Sequence, residues 1–325
     1  MMKKTLVALA AVAATGGAFA QSVLTGDIGF GWSSSTSAAS GTANGMGITD
    51  ADIYWAATEA LDGGAKVAAN LMLDLSAAST AYGASAIVLD QTLSYTTASG
   101  VKVSMGSVRG ADYLTGGIAA VGTNYNQDFA GGLFSTRSVK DQIGFSLPVA
   151  EGTTLSFTTR EAGTGAGAGA ASTGVGAQRD STVGLKYTAG ALIVDGGYRV
   201  YDGTSLTSTA LASSMNRASA SYDLGAAKIG AGYQTVVYGY GNSVTDTLAG
   251  INVPVSGALN LGAQMGFRSK AGNATSSLNT NYGGTILSAS YSLSKRTSIL
   301  ASYLSYDVGG SSQTNGFAAK LFTTF

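Results

Sequence analysis

Phe317-Ala318-Ala319-Lys320-Leu321-Phe322-Thr323-Thr324-Phe325 reads as a strand with a period of two. Phe317, Ala319, Leu321, Thr323 and Phe325 share one face, and Ala318, Lys320 and Thr324 share the other. Phe322 breaks the pattern. Chain ends usually fray into solvent, so a strand held to a last aromatic residue needs something to hold it. A closed sheet in hydrocarbon provides that reason. An open edge would leave backbone groups unsatisfied at several kcal/mol each, so the final strand must pair with the first. An ordinary sheet-ending strand of a soluble domain is the alternative reading of this stretch.

The other end carries an export signal. Met1-Met2-Lys3-Lys4 is a basic head, Thr5 to Ala14 an apolar core, and Ala18-Phe19-Ala20 a small-x-small cleavage site before Gln21. Residues 1–20 are therefore expected to be a signal peptide, with 21–325 forming the mature domain. Nothing downstream offers the roughly 18 uninterrupted apolar residues of a transmembrane helix. Without Lys3 and Lys4 the chain holds 16 basic and 18 acidic side chains, so it has no bulk attraction to nucleic acid or anionic lipid.

The composition excludes several chemistries. There are no cysteines, so stability has to come from backbone pairing and closure rather than from disulfides. There are no histidines, which removes Ser-His-Asp hydrolysis and His-ligated zinc. Charged residues make up only 11% of the chain, and glycine supplies 47 positions. Such a low charge content is unusual for a soluble chain, but it is expected if one face of every strand meets lipid.

The chain between these ends divides into about sixteen alternating segments bounded by Gly, Ser, Asn or Asp. Ala65 to Ala77 is the clearest of them. Val67, Ala69, Leu71, Leu73 and Leu75 face one way while Lys66, Asn70, Met72 and Asp74 face the other. No helix of period 3.6 sorts these residues so. Val23 to Ser33 and Gly47 to Ala60 alternate in the same way, with a polar loop expected between them. Tight junctions such as Leu61-Asp62-Gly63-Gly64 and Ala98-Ser99-Gly100 alternate with longer ones. One rim of short turns, one rim of loops and both termini on the short-turn rim describe an all-β, sixteen-stranded antiparallel transmembrane barrel.

The alternation fails for longest between Arg109 and Arg137, and a gap of that length reads as a functional loop. Gly163 to Gly176 reads as a flexible loop. Its G-x-G spacings lack the strand-then-helix context of a dinucleotide site.

If the apolar face meets lipid, the other face lines the interior. It carries Lys66, Lys102, Lys140, Arg160, Lys186, Arg199, Arg217, Lys228, Arg268 and Lys320 against Asp27, Asp74, Asp90, Asp180, Asp195, Asp223 and Asp246. So much charge cannot form a dry core, so the interior must be wet, and sixteen strands leave room for water. The wall charges then act on permeating ions. With the 110–136 loop folded inward, Asp112 and Asp128 would oppose Lys66, Lys102, Arg109 and Lys140 across a narrowing, with Arg160 and Arg199 also lining it. The excess of inward bases predicts a weak anion preference. Each of these side chains is also readable as a solvated wall residue or a structural ion pair. Tyr54, Trp55, Tyr95, Tyr187, Tyr198, Tyr222, Tyr233, Tyr291, Tyr303 and Phe325 recur towards segment ends, where membrane interfaces favour such rings.

These features resemble the general porins of Gram-negative bacteria, most closely the betaproteobacterial type. Lys3-Lys4-Thr5-Leu6-Val7-Ala8-Leu9-Ala10 through Ala18-Phe19-Ala20-Gln21-Ser22 is similar to their leaders, and Phe325 matches their C-terminal signal. The resemblance implies a homotrimer of sixteen-stranded barrels in the outer membrane, assembled by the barrel-assembly machinery that reads Phe325. It implies an inward third loop, here 110–136, and passive diffusion of ions and small hydrophilic solutes without enzymatic activity or cofactor. In that loop Asp128-Phe129-Ala130-Gly131-Gly132 departs from the family's acidic Pro-Glu-Phe-Gly-Gly-like motif, and the early strands lack an arginine cluster. A solute-specific channel for a sugar or organic anion is the first alternative. A structural or adhesive barrel without an open pore is the second.

Overall fold

The computed structural model describes residues 21–37, 41–75, 87–110, 138–161, 178–202, 211–271, 282–308 and 312–325. They form β1 (Gln21–Ser37), β2 (Gly41–Ala60), β3 (Lys66–Asp74), β4 (Ile87–Thr96), β5 (Lys102–Gly110), β6 (Ser138–Ala150), β7 (Thr153–Arg160) and β8 (Asp180–Ala189). The second half adds β9 (Leu192–Tyr201), β10 (Ala212–Asp223), β11 (Lys228–Tyr238), β12 (Ser243–Pro254), β13 (Leu259–Ala271), β14 (Tyr282–Ser292), β15 (Thr297–Val308) and β16 (Ser312–Thr324). The expected leader at 1–20, the loop at 163–176 and residues 111–136, with Asp112 and Asp128, lie outside the described residues.

Each strand pairs antiparallel with its neighbours in chain order, and β16 returns to pair with β1, so the sheet closes as a barrel. Closure satisfies the one requirement that hydrocarbon imposes on a sheet, the absence of an edge. At the seam, Gly26 and Phe325 exchange backbone hydrogen bonds at 3.1 and 3.0 Å, and Asp27 lies opposite Thr324. On the outward side of the seam the rings of Trp32 and Phe317 lie 6.0 Å apart.

The inside and outside of this wall are reversed relative to a soluble domain. Along β13, Met265 and Phe267 are 49% and 54% exposed, while Gln264 and Arg268 are 2% and 7% exposed. Exposed Ile143, Phe145 and Leu147 on β6, Leu155 and Phe157 on β7, and Val183 and Leu185 on β8 continue the apolar band around the outside. Cross-strand register fixes which face is which. Trp55 opposes Leu71 and Ile53 opposes Leu73 on the outer face, while Tyr54 opposes Met72 and Asp52 opposes Asp74 on the inner one. The Leu71/Leu73 row therefore faces lipid and Asp74 faces the lumen, as the alternation predicts.

Seven short turns join β2 to β3, β4 to β5, and so on to β14 and β15, all on one rim. At Gly152 (φ +68°) a Cβ would collide with the carbonyl oxygen of Thr188, so the turn between β6 and β7 requires glycine. The opposite rim is less uniform than expected. The stretch expected as a polar loop after Ser33 is instead the continuation of β1 and β2, which run 17 and 20 residues and are clasped by Thr36 and Thr42 hydroxyls at 3.0 Å. Strands this long outreach the bilayer, and beyond it both faces are wet, so no apolar alternation marks them. Gly239–Gly241 likewise turns directly between β11 and β12.

Candidate functional site

Two inward-facing charge systems occupy different arcs of the wall. The first is a row of carboxylates on β1 to β4. Asp27 is the register partner of Asp52, and Asp52 is the register partner of Asp74, so three acids from three strands stand side by side. Asp50 lies on the same face of β2, and Asp90 opposes Met72 in the next inward rung of β3 and β4. All five are partly exposed. Tyr54 donates its hydroxyl to Asp52 Oδ2 at 3.0 Å, so it belongs to this inner row rather than to an interfacial ring belt.

The second system lies on β6 to β9 and centres on Asp180, a residue of the inward set that the sequence did not mark as a hub. Arg160 grips it with Nε on Oδ1 and Nη2 on Oδ2, both at 2.8 Å. Lys140 Nζ lies 3.1 Å from Oδ2 and also donates to the Gln178 carbonyl at 2.6 Å. Arg199 Nε lies 3.4 Å from Oδ1, donates to Thr182 Oγ1 at 2.9 Å, and stands 5.9 Å from the Tyr201 ring. Strand register brings these residues together, since Arg160 opposes Asp180 and Arg199 opposes Thr182. A bidentate guanidinium and two further cations offset the cost of burying that carboxylate.

A related row crosses β10 to β13. Arg268 holds Asp246 through Nε at 2.6 Å and Nη2 at 2.9 Å, and Gln234 donates to the same carboxylate at 3.2 Å. Arg217 is the register partner of Gln234. Beside it, Tyr201, Ala212, Met215 and Val236 form a buried apolar patch.

Lys140, Arg160 and Arg199 are thus brought together, whereas Lys66 and Lys102 are not with them. Lys66 opens β3 and Lys102 opens β5, opposite Thr96 and Ser146, beside the short turns. Val108, which opposes Lys140, stands about 20 Å further along β5 at the usual rise per residue. The expectation of one narrowing shared by Lys66, Lys102 and Lys140 is therefore corrected, because strand position separates them. Arg109 pairs through its backbone with Val139, and its side chain lies outside the described residues. Phe322, the break in the terminal pattern, has its ring 5.1 Å from Lys320 Nζ. Among the described residues no group of three or more His, Cys, Asp or Glu is arranged to hold a metal ion.

A family model described as Gram-negative porin matches residues 5–311. Among solved structures, a triple-substituted variant of the Rh. blastica porin superposes with a TM-score of 0.65 at 14% identity. That match covers 94% of this chain and 100% of the other. A loop-deletion form of an outer membrane protein of Vibrio cholerae gives a TM-score of 0.61 at 15% identity, covering 93% and 99% of the two chains. No curated protein sequence matches the chain.

Proposed function

The chain belongs to the Gram-negative porin family, an outer-membrane channel by membership and by its closed barrel, and from that premise we propose how it works. It passes ions and small hydrophilic solutes by passive diffusion down their gradients, without chemistry and without a cofactor. The observation that carries this reading is the segregation of the wall, with Met265 and Phe267 outward and Gln264 and Arg268 inward on the same strand. A ring of sixteen such strands encloses an aqueous channel rather than a packed core.

The loop at 110–136 is the constriction element of this proposal. It is supported by the length of the gap between β5 and β6 and by the family resemblance. Lys140, Arg160 and Arg199 then belong, with Arg109, to the wall that the constriction faces, and Asp112 and Asp128 to the loop that opposes them. The working form is a homotrimer, with the apolar outer faces of β1 and β16, including exposed Trp32 and Phe317, available for subunit contact. Phe325 is what the barrel-assembly machinery reads, and residues 1–20 are the cleaved export signal.

Planar-bilayer recording of the purified protein tests the channel. Stepwise insertions with conductance proportional to bulk salt are expected. A sealed bilayer would instead favour a structural barrel, and saturable block by one sugar or organic anion would favour a solute-specific channel.

A further inference from the structure

One stretch of the inner wall is buried, uncharged and short of hydrogen bonds. Gln234 Oε1 on β11, Gln264 Nε2 on β13 and the hydroxyls of Ser219 and Ser221 on β10 have no hydrogen-bond partner among the described residues. Their side chains are nonetheless out of water, with Gln234 0%, Gln264 2%, Ser219 4% and Ser221 2% exposed. A buried polar atom left unpaired is costly, and four in one patch require a reason.

Register sets these four side chains around a floor of glycines. Ser221, Gly230, Gly250 and Gln264 are successive partners across β10 to β13, so the hydroxyl and the amide stand on one rung with two bare positions between them. The next rung runs Ser219, Gly232, Leu248 and Gly266, and Gln234 follows Gly232 on the same face of β11. Of the inward neighbours of Gln264, Gly262 and Gly266 precede and follow it on β13, Gly250 lies beside it on β12, and Ile286 lies beside it on β14. Glycine weakens a strand interior and marks a bulge, a special backbone conformation or the close approach of another group. The first two do not apply here. Register runs unbroken from β11 to β13, and none of Gly230, Gly232, Gly250, Gly262 and Gly266 has a positive φ.

The charges around the recess stand at its margins. Asp246 and Arg268 bind each other on the Gln234 rung, where Arg217 places Nη2 3.3 Å from Met215 Sδ. Asp223 and Lys228 oppose one another on the rung beyond Ser221, and Asp195 borders Ser219 from β9.

Resting on the reading of the protein as an open channel, we propose that this recess holds an uncharged, polyhydroxylated solute, a sugar or polyol, during its passage. A hydroxyl both donates and accepts, so one ring can serve the Gln234 acceptor, the Gln264 donor and both serines. The Cα atoms of Ser221 and Gln264 stand about 14 Å apart across three strand spacings, which leaves room for a ring between the two side chains. Bare glycine lets that ring lie against backbone, and Leu248 and Ile286 meet its apolar face. A carboxylate would face Gln234 Oε1 and Asp195, and a protonated amine would face Gln264 Nε2, so either charge meets a group that repels it.

Uptake of radiolabelled D-glucose into proteoliposomes carrying the full-length mature protein tests this, with polyethylene glycol 200 as a control poor in hydroxyls. Glucose entry should saturate with concentration and be competed by galactose but not by gluconate or glucosamine, while entry of the control stays linear. Ionic conductance should persist in glucose, because the recess occupies only the β10 to β13 arc of the closed barrel. These wild-type results need no variant to fold. Gln264→Leu should raise the half-saturating glucose concentration about fivefold, the worth of one neutral hydrogen bond. Gly250→Val, which fills the floor, should make glucose entry linear while the channel still conducts. Linear glucose entry in wild type, or gluconate or glucosamine competing as well as galactose, overturns the inference and leaves the channel reading intact. So does a Gln264→Leu protein that loses stability in urea yet saturates as wild type does, which marks a structural role. Glucose that seals the ion current overturns the wall site in favour of a solute-specific channel. A protein that conducts nothing and admits neither solute overturns the channel reading itself.

Discussion

Lys320 on β16 and Asp50 on β2 meet at 2.5 Å across the whole width of β1, which lies between their strands. Two glycines of β1 make the crossing possible. A Cβ on Gly29 would stand 2.5 Å from Asp50 Oδ2, and one on Gly31 would stand 2.8 Å from Lys320 Cβ. The pair is a lumen-side tie over the seam that closes the barrel, and it adds to the backbone ladder on either side of β1. Removing it with Lys320→Met should cost about 1–2 kcal/mol, a buried-pair value reduced for the partial exposure of Asp50. Urea unfolding in detergent micelles, followed by the loss of the slow-migrating unboiled band on gels, measures it. Gly31→Leu, which obstructs the crossing, should cost at least as much.

Asp180 is the hub of the buried cluster, so its removal should exceed that of any single spoke. Asp180→Asn leaves Lys140, Arg160 and Arg199 converging on a neutral side chain, with an expected loss of about 3–5 kcal/mol. Arg199→Gln, which removes the longest of the contacts to Asp180, at 3.4 Å, along with the Thr182 hydrogen bond, and leaves the bidentate Arg160 grip in place, should be clearly milder. Equal effects of the two in the same denaturant titration would remove Asp180 from the centre of the network.

Adjacent positions of β3 should behave as opposites. Leu71→Arg points a charge into the acyl region and should cost about 2–4 kcal/mol near the bilayer midplane. Asn70→Arg, one residue earlier and facing the lumen, should fold normally and change only conductance. Yield of folded protein on refolding into lipid vesicles separates them.

Gly26 is where the final aromatic ring packs against β1. A Cβ there would stand 2.5 Å from Phe325 Cζ and 2.7 Å from the Asp52 carbonyl oxygen. Gly26→Val should slow and reduce barrel closure, read as the folded fraction over time after dilution into vesicles. Phe325→Ala in that background should recover only part of the loss, because the Asp52 backbone contact persists.

The wall was readable in the sequence because lipid imposes one rule on every strand, and Leu71, Leu73, Lys66 and Asp74 follow it. All sixteen strands emerge from that rule. Where the rule lapses the reading lapsed too: the end of β1 after Ser33 and the start of β2 before Gly47 are wet on both faces and looked like loop. Phe322 looked like an error of pattern because its ring packs inside the wall near Lys320. The charge systems were harder to see for a different reason. Arg160, Asp180 and Arg199 are far apart in sequence and meet only through the stagger of β7, β8 and β9, which no single-strand pattern encodes. The Asp27, Asp52 and Asp74 row likewise depends on two registers at once.

The one-in-two spacing of large apolar side chains also governs the chain's journey before it folds. Because each Leu or Phe of β13 is followed by a glycine or a polar residue, and Ile143 and Phe145 of β6 by glycine and serine, neither strand becomes greasy enough to lodge in the inner membrane as a helix. The same periodicity that later seats the protein among acyl chains lets the unfolded polypeptide slip through the first bilayer and reserve its insertion for the second.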